Sequence, residues 1–466
     1  MGGLFASLQT AATALDVFRQ ALGVEQSNVA NASTPGYAAQ RANILPIDNA
    51  GGGTGNGDFI TVSSTGSQFA DAVVQTASSQ ASSSQTLVAQ LTPINQLFDI
   101  TGSSGILAAF QQFSTAFANL SVTPNDPTAG AAALTAAGNV ASAFQSVAAS
   151  LDNQSAQLNA GIQNTTSQIN TLSADIGRLN TLTTGSPEDD AATTAQLRSD
   201  LDQLSSLVDI TVMTAPDGTA TVLAGGELPL VIGNQSYTLS ANPAAAPGSQ
   251  VSSSGGGNSP ATFSGQLGAL LQTQNGTITP LLGGNGQTGS LNTLASGFAS
   301  LVNNLLTSGT TAAGAPGVPI FTWDQANPAD AARTLAVDPT VTPTDLGLAT
   351  SGAAPQSNGI ANQLATLAGS TVAANQIGGL SAEALFGSIA TTVGQQLSDA
   401  TTSSTVSQST LTAAQTNRQQ QSGVSLDQEA ANITAYQRSY QANAQLISIL
   451  NQLTEDDVNM ITPSVG

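Results

Sequence analysis

Residues 422–450 read SGVSLDQEAANITAYQRSYQANAQLISIL, and residues 29–37 read VANASTPGY behind an amphipathic segment. In the first stretch, apolar and small residues recur at steps of four and three, the heptad spacing of a helix that packs along a partner. Residues 4–29 carry a matching stripe, interrupted once by Glu25. Both ends of the chain are therefore predicted to be helices with an apolar seam. Terminal helices fray unless they dock, so each needs a partner.

The two stripes supply most of the candidate interface residues of this chain. The first stripe contains Leu4, Leu8, Leu15, Phe18, Leu22 and Val29, and the second contains Leu426, Ala430, Ile433, Tyr440, Ala444, Ile447 and Leu450. The segment after the first stripe adds Asn31, Pro35, Gly36 and Tyr37, where turn-forming residues end the helix. Periodicity alone leaves two partners open: the other end of the same chain, or copies in neighbouring subunits.

Composition excludes several classes of function. The 466 residues carry a net charge of −21, and all seven basic residues are arginines scattered along the chain. Such a pattern cannot neutralise a row of phosphates, so we expect no nucleic-acid binding. The negative net charge also argues against binding to an anionic membrane surface. The chain has no cysteine, histidine or lysine, which removes most nucleophilic, metal and Schiff-base chemistry.

Membrane insertion and standard export signals are also missing from the sequence. No apolar run approaches the ~18 residues that a membrane-spanning helix needs. No Sec-type signal peptide is visible, because no basic residue precedes Arg19 and no apolar h-region follows the start. If the protein leaves the cell, we expect another route.

Carboxylates remain available for chemistry. Residues 188–190, Glu-Asp-Asp, could form an acid/base pair or a cation site, but favourable charges at a helix N-terminus are the simpler interpretation. Residues 455–457, Glu-Asp-Asp, could likewise hold a cation or form a solvated terminal turn. Trp323 with Phe321 could stack on a sugar, or anchor a small core. We expect no catalytic, metal or cofactor site.

The pattern along the chain predicts a mainly α protein with a smaller β portion. Helical periodicity runs from about residue 70 to 207, returns at 263–307, and resumes from Ser381 to about Met460 with one break near residues 422–423. Alternation around residues 216–218, Pro-Asp-Gly, predicts a hairpin that residues 228–239 extend. The expected architecture is a long helical bundle formed from both ends of the chain, with β-hairpin-rich segments inserted in the middle.

This organisation suggests three units. We expect a terminal helical coiled-coil unit of residues 1–35 plus 422–466, a helical core of residues 36–207 plus 263–310 plus 370–421, and β-rich segments at 208–262 and 311–369.

The end motifs resemble those of a known class of proteins. Residues 28–31, Asn-Val-Ala-Asn, followed by residues 34–37, Thr-Pro-Gly-Tyr, resemble the N-terminal motif shared by bacterial flagellar rod, hook and first hook-associated proteins. EAANITAYQRSYQANAQLIS resembles their C-terminal signature, and SGVSLDQEAA at 422–431 is closer to the first hook-associated proteins than to hook or rod. Internal stretches resemble that family in the same order, at residues 101–125, 169–180, 197–212, 264–271 and 291–305.

The resemblance implies a structural role at the junction between hook and filament. Such proteins are exported unfolded through the flagellar type III channel and polymerise outside the cell. The implied partners are copies of the chain in a helical tube, the hook protein, the second hook–filament junction protein and a flagellar export chaperone. In the family, the two terminal helices pair into an inner tube and the middle of the chain forms the outer shell.

Three departures from the family pattern matter. Ala39 stands where the family often has arginine, and Thr454 and Asp457 interrupt the usually apolar last turns. The segment after the helix near residue 305 is short, so the outer domain is expected to be short or absent.

Three other functions stay open. The first two are a different flagellar axial protein and an acidic secreted adhesin. The third is a peptidoglycan-cleaving enzyme, which needs a carboxyl group of raised pKa in a cleft. The sequence suggests no carboxyl pairing that would supply one.

Overall fold

Long helices dominate the part of the chain that the structure describes, which confirms the predicted fold class. The computed structural model describes residues 2–46, 58–101, 104–183, 191–215, 218–243, 245, 249–257, 262–284, 287–352 and 357–461. The helices are α1 (Gly2–Ala30), α2 (Gln68–Gln96), α3 (Gly105–Val122), α4 (Pro127–Thr183), α5 (Ala191–Leu207), α6 (Gly265–Thr273), α7 (Thr279–Leu282), α8 (Ser290–Ser308), α9 (Ala331–Thr334), α10 (Gly359–Ala365), α11 (Ala382–Ser422) and α12 (Leu426–Ile461). A π-helical segment, Gln274–Ile278, joins α6 to α7.

Local signals explain where several helices begin and end. Ser67 accepts a hydrogen bond of 3.3 Å from the Ala70 backbone N–H, and Ser381 does the same for Ala384 at 3.1 Å. These are N-cap bonds that satisfy the free N–H groups of α2 and α11. Pro127 occupies the first turn of α4, where its missing N–H costs nothing. The break between α3 and α4, bounded by Pro124 and Pro127, allows these helices to pack together.

A phenylalanine cluster forms part of the core of the helical bundle. The Phe298 ring on α8 lies 4.6 Å from Phe110 and 5.3 Å from Phe113, both on α3, measured between ring centroids. Phe321 approaches the same ring at 6.2 Å. Trp323 is partly buried against this core, which favours the core-anchor interpretation over a sugar platform.

The strands form small antiparallel sheets. β1 (Gln40–Pro46) pairs with β2 (Asp58–Ser64), and a four-stranded sheet contains β3 (Ile210–Thr214), β4 (Ala220–Ala224), β5 (Leu228–Ile232) and β6 (Gln235–Ser236) in that order. Two-stranded pairs join β7 (Leu239–Ala241) to β8 (Val251–Ser253), β9 (Gly283–Gly284) to β10 (Gln287–Thr288), β11 (Gly309–Thr310) to β14 (Ala349–Thr350), and β12 (Phe321–Thr322) to β13 (Ala336–Val337).

The predicted hairpin and its extension are confirmed by the pairing of β3, β4 and β5, with Ile210 opposite Ala224. Pro216 and Asp217, at its tip, lie outside the described residues. The sequence FITVSS, from Phe59, is typical of a short strand and lies in β2, whereas its partner β1 has no such pattern. Residues 49–57, whose glycine-rich composition is typical of a flexible loop, and the carboxylates at 188–190 lie outside the described residues.

The terminal helices pack against each other: α1 runs along α12. α11 packs on α2, which also contacts α5 and α6, so these helices connect the terminal pair to the core. Among the described residues, none of the helices has the length and apolar character needed to cross a bilayer. The division of the chain into three units stays a prediction.

Candidate functional site

The seam between α1 and α12 buries small residues of α1. The buried side chains of this helix are Ala11, Ala14, Val17, Ala21, Glu25 and Asn28. Their heptad-like spacing places them on one helix face. The predicted residues Leu4, Leu8, Leu15, Phe18 and Leu22 are half-buried beside this face, and Val29 is exposed. The face of α1 that is buried against α12 therefore differs from the predicted stripe: most of its residues precede the predicted ones by one position.

α12 is partly covered on one side and apolar on a second side. Of its predicted residues, Ile433, Ile447 and Leu450 are half-buried, whereas Leu426, Ala430, Tyr440 and Ala444 are exposed. The exposed residues Leu446, Ile449 and Leu453 were missed, although their spacing of three and four is visible in the sequence. Thr454 and Asp457 are half-buried and continue the spacing of Ile447 and Leu450.

Direct contacts between the two helices include rings and polar groups. The rings of Phe18 and Tyr436 lie 6.3 Å apart across the seam. Near the end of α1, the Asn28 amide donates to the Glu429 carboxyl at 3.2 Å. One turn away, the Asn432 amide donates to Glu25 at 3.3 Å.

Asn28 is the centre of this polar cluster and is fully buried. Its amide nitrogen also donates to the Gln40 carbonyl at 2.8 Å, and its amide oxygen accepts from the Gln40 backbone N–H at 2.8 Å. The Tyr37 hydroxyl donates to the same oxygen at 2.9 Å. Asn28 therefore joins α1, the following loop, the start of β1 and α12.

Glu25 and Glu429 are both buried in this cluster, and their carboxyl groups contact each other. Burial and the hydrogen bond with the Glu429 carboxyl raise the pKa of Glu25 to about 7, while the Asn432 amide opposes this shift. Burial also raises the pKa of the Tyr37 and Tyr436 hydroxyls. In the sequence, Glu25 is only an interruption of the apolar stripe, and no local signal reveals its distant partner.

The loop that follows α1, residues 31–38, is held against the core. The Asn31 side chain donates to the Ser27 carbonyl at 2.9 Å and so closes the helix end. Gly36 has a φ of 75°, a conformation that favours glycine. A Cβ atom at Gly36 would collide with the Ala195 carbonyl of α5. Pro35 is exposed, and Tyr37 is half-buried beside Asn28.

The two end motifs meet at the break between α11 and α12. The Ala39 backbone N–H donates to the Ser422 carbonyl at 2.8 Å. The Thr65 hydroxyl reaches the Ala39 carbonyl at 2.8 Å and the Ser422 carbonyl at 3.3 Å. The buried position of Ala39 places the departure from the family's arginine in this joint.

An ion network lies beneath the loop. Arg198 on α5 pairs with Asp71 on α2 at 3.1 Å, and Arg418 on α11 pairs with Asp71 at 3.5 Å and Asp202 at 2.8 Å. Burial raises the pKa of Asp202, and Arg418 opposes this shift. These side chains line a polar cleft of about 570 Å³ together with residues 32–38. The network thus ties three core helices together under the loop.

This arrangement is suited to holding helices in place and to exchanging a proton at the Glu25–Glu429 pair. Among the described residues, no group of three or more acidic side chains is placed to hold a metal ion. Glu455 and Asp456 are exposed on α12. The absence of a catalytic, metal or cofactor site stays a prediction.

The comparisons with known proteins all match flagellar proteins. Residues 66–321 match the family model described as the helical domain of the flagellar hook-associated protein FlgK. Residues 415–460 match the C-terminal family model of flagellar basal body rod FlgEFG proteins. The match at residues 66–321 covers the helical core between the two ends and is specific to one family.

Similar proteins and a similar solved structure carry related names. Flagellar hook-associated protein 1 of Bacillus subtilis (strain 168) is 24% identical over 510 aligned positions, which cover 98% of this chain and 99% of that protein. The protein of the same name from Salmonella typhimurium (strain LT2) is 27% identical over 248 positions, covering 51% of this chain and 44% of that protein.

The solved structure of the flagellar hook junction protein FlgK from Burkholderia pseudomallei is similar in fold. It matches with a TM-score of 0.63 and 15% identity, covering 76% of this chain and all of that one. Such low identity supports the fold alone, and the sequence matches carry the family. Members of this family are structural flagellar proteins, and the chain belongs to the family of the flagellar hook-associated protein FlgK.

Proposed function

We propose that this protein is a structural subunit of the junction between hook and filament in the extracellular bacterial flagellum. It assembles with copies of itself through its paired N- and C-terminal helices. The observation that carries this proposal is the apolar surface that the α1–α12 pair leaves exposed. The names of the similar proteins, hook-associated and hook junction protein, give the location.

The exposed apolar residues lie on both terminal helices. They are Phe5 and Val29 on α1, and Leu426, Tyr440, Leu446, Ile449 and Leu453 on α12. Leu446, Ile449 and Leu453 lie on one face of α12 at spacings of three and four, and exposed apolar surface of this kind is typical of protein interaction sites. Complete burial of one such side chain contributes roughly 1.5–3 kcal/mol, so neighbouring subunits that cover this face would stabilise the pair.

The seam chemistry explains why the pair needs neighbours. Alanines at positions 11, 14 and 21 bury little area between the two helices. Whatever binds the folded, paired form stabilises it by mass action. Ordering of the terminal helices and polymerisation are therefore coupled. In this proposal, the half-buried and exposed members of the two predicted stripes contact neighbouring subunits, and residues 31–37 place the pair relative to the core.

The remaining partners follow from the family. The hook protein binds at one end of the junction and the second junction protein at the other, with a flagellar export chaperone before export. The chain passes unfolded through the flagellar type III channel. It has no enzymatic activity in this role.

A second candidate is another axial subunit of rod or hook. The match of residues 415–460 to the rod protein C-terminal family favours it. The match of residues 66–321 to the FlgK helical domain favours the junction, because it covers more of the chain and is more specific. Immunogold labelling of intact flagella separates the two by position: between hook and filament, or elsewhere along the axis.

Assembly is tested with substitutions on the exposed face of α12. Leu446→Gln and Ile449→Gln, singly and together, replace the wild-type gene in the source bacterium. Val406→Gln is the matched control, since Val406 is an exposed apolar residue of α11. We expect all variants to fold, as measured by circular dichroism. The double α12 variant should be secreted without joining the hook, and the control should assemble.

Truncation of the ends provides the stronger test. Removal of residues 1–30 or 430–466 should leave a soluble core that cannot join the hook. Normal filaments grown from either truncated chain, or from the double α12 variant, would contradict the proposal.

A further inference from the structure

Two carboxyl groups are buried against each other between the terminal helices, and no basic side chain among the described residues forms an ion pair with them. Glu25 is 3% exposed and Glu429 is 6% exposed. Buried carboxylates are ordinarily paired with a positive charge. The ion pairs of the described arginines involve other acids, such as Asp16 with Arg19 and Asp71 with Arg198.

Two amide groups of the described residues donate hydrogen bonds to the pair. Asn432 donates one hydrogen bond to Glu25 and Asn28 donates one to Glu429, at 3.3 and 3.2 Å. One donor for each carboxyl cannot compensate two adjacent negative charges at a buried site. Two carboxyls in such contact share one proton, which one group donates to the other.

We propose that the Glu25–Glu429 pair is a proton-operated clasp: a shared proton holds α1 against α12, and its release loosens the terminal helix pair. Burial and the contact with Glu429 raise the pKa of Glu25 from 4.5 to about 7. Because the paired form binds this proton more tightly than the separated form, its contribution to pairing is complete below about pH 4.5. The contribution is lost as the pH rises through about 7.

The other titratable groups around the pair do not replace this proton. Tyr436 on α12 and Tyr37 on the loop face the carboxyls, and both have pKa values raised above the ordinary value of tyrosine, so both stay neutral in this range. Arg41 on β1 and Asp427 and Arg438 on α12 are exposed to solvent. The carboxyl pair is therefore the group that responds near neutral pH.

The position of the clasp gives the proton a structural effect. Asn28 binds Glu429 and also holds Gln40 and Tyr37 at the joint with the core. The rest of the α1 seam consists largely of alanine, which buries little area. Loss of the shared proton therefore weakens the contact between α1 and α12 at the place where its polar interactions are concentrated. This goes beyond the proposed function, since it concerns the contact between the two helices of one chain and not the apolar face that meets neighbouring subunits.

The test uses the full-length protein with spin labels. Because the chain has no cysteine, Ala12→Cys and Ala442→Cys, both at exposed positions, give two unique labels. The distance between them is measured by pulsed electron paramagnetic resonance from pH 5 to 8.5. We expect a single short distance at low pH and a growing separated population above about pH 7. The ratio of separated to paired forms should rise at most about tenfold per pH unit.

Substitution of either carboxyl distinguishes titration of the Glu25–Glu429 pair from titration of other groups in the protein. Glu25→Gln and Glu429→Gln each keep the side-chain shape and remove one of the two charges, so the distance should become independent of pH. Glu455→Gln, an exposed acid of the same helix, is the matched control and should titrate like the wild type. An unchanging distance in the wild type, or a wild-type titration in both clasp variants, would overturn the proposal. Neither result depends on whether the protein assembles at the hook.

Discussion

Asn28, near the end of the first helix, donates a hydrogen bond of 3.2 Å to Glu429, 401 residues further along the chain. The same buried amide donates to and accepts from the Gln40 backbone and accepts from the Tyr37 hydroxyl. One side chain thus closes the two ends of the chain onto the start of the first hairpin. The resemblance places Asn28 in the N-terminal motif, and the structure shows what its side chain binds.

Asn28→Ala should destabilise this joint by about 2–4 kcal/mol, because it removes the hydrogen bonds of the half-buried Gln40 backbone groups and of the Tyr37 hydroxyl to Asn28. Urea unfolding followed by circular dichroism measures the loss, and amide exchange in α1 locates it. Asn43→Ala is the control, since Asn43 is exposed and makes its hydrogen bond to Ser63 at the surface. We expect the control to cost less than about 1 kcal/mol. Equal losses in the two variants would contradict a special role for Asn28.

Gly36→Ala and Gly23→Ala should have opposite effects. Gly36 combines a positive φ with a close approach to the Ala195 carbonyl, so alanine there should cost at least about 2 kcal/mol. Gly23 lies on the exposed side of α1 with open space around it. Alanine in this helix interior should stabilise by about 0.5–1 kcal/mol. Thermal unfolding of both variants checks the signs, and a stable Gly36→Ala protein would refute the account of the loop.

The helices could be predicted from the sequence, because heptad spacing is a local signal. The pairing of the two ends followed from the resemblance of their motifs, since periodicity alone left the partner open. The face of α1 that meets α12 could not be predicted. Sequence patterns favour large apolar residues such as Leu15 and Leu22, whereas the seam buries Ala14 and Ala21. Helices that approach closely bury small side chains at their contact. Hydropathy alone does not distinguish an alanine in such a contact from an alanine at the surface.

Other features required the tertiary structure. β1, with the sequence QRANILP, has little alternation, and its strand state depends on pairing with β2. The Glu25–Glu429 contact joins residues at opposite ends of the chain, and no spacing rule connects them. The motif containing Gly36 was visible, but its reason, the backbone of α5 beside it, was not.

Arg418→Ala should destabilise the core beneath the loop by about 2–3 kcal/mol. Arg418 pairs with Asp71 and Asp202, which are mostly buried, and its removal leaves both carboxylates with less compensation. Arg178→Ala is the control, because Arg178 and its partner Asp175 are largely exposed and such pairs contribute about 0–1 kcal/mol. The difference is measured by urea unfolding at pH 7. A loss in Arg418→Ala no larger than the control would show that the network contributes little.

Phe298→Ala should cost about 3–5 kcal/mol, because it removes the ring that contacts Phe110, Phe113 and Phe321 and leaves a cavity in the core. The control is Phe69→Ala, since Phe69 is 78% exposed at the start of α2. It should change stability by less than about 0.5 kcal/mol. The two variants remove the same atoms, so their difference measures burial and packing rather than side-chain chemistry. Similar unfolding midpoints for both proteins would mean that the phenylalanine cluster is not the centre of this core.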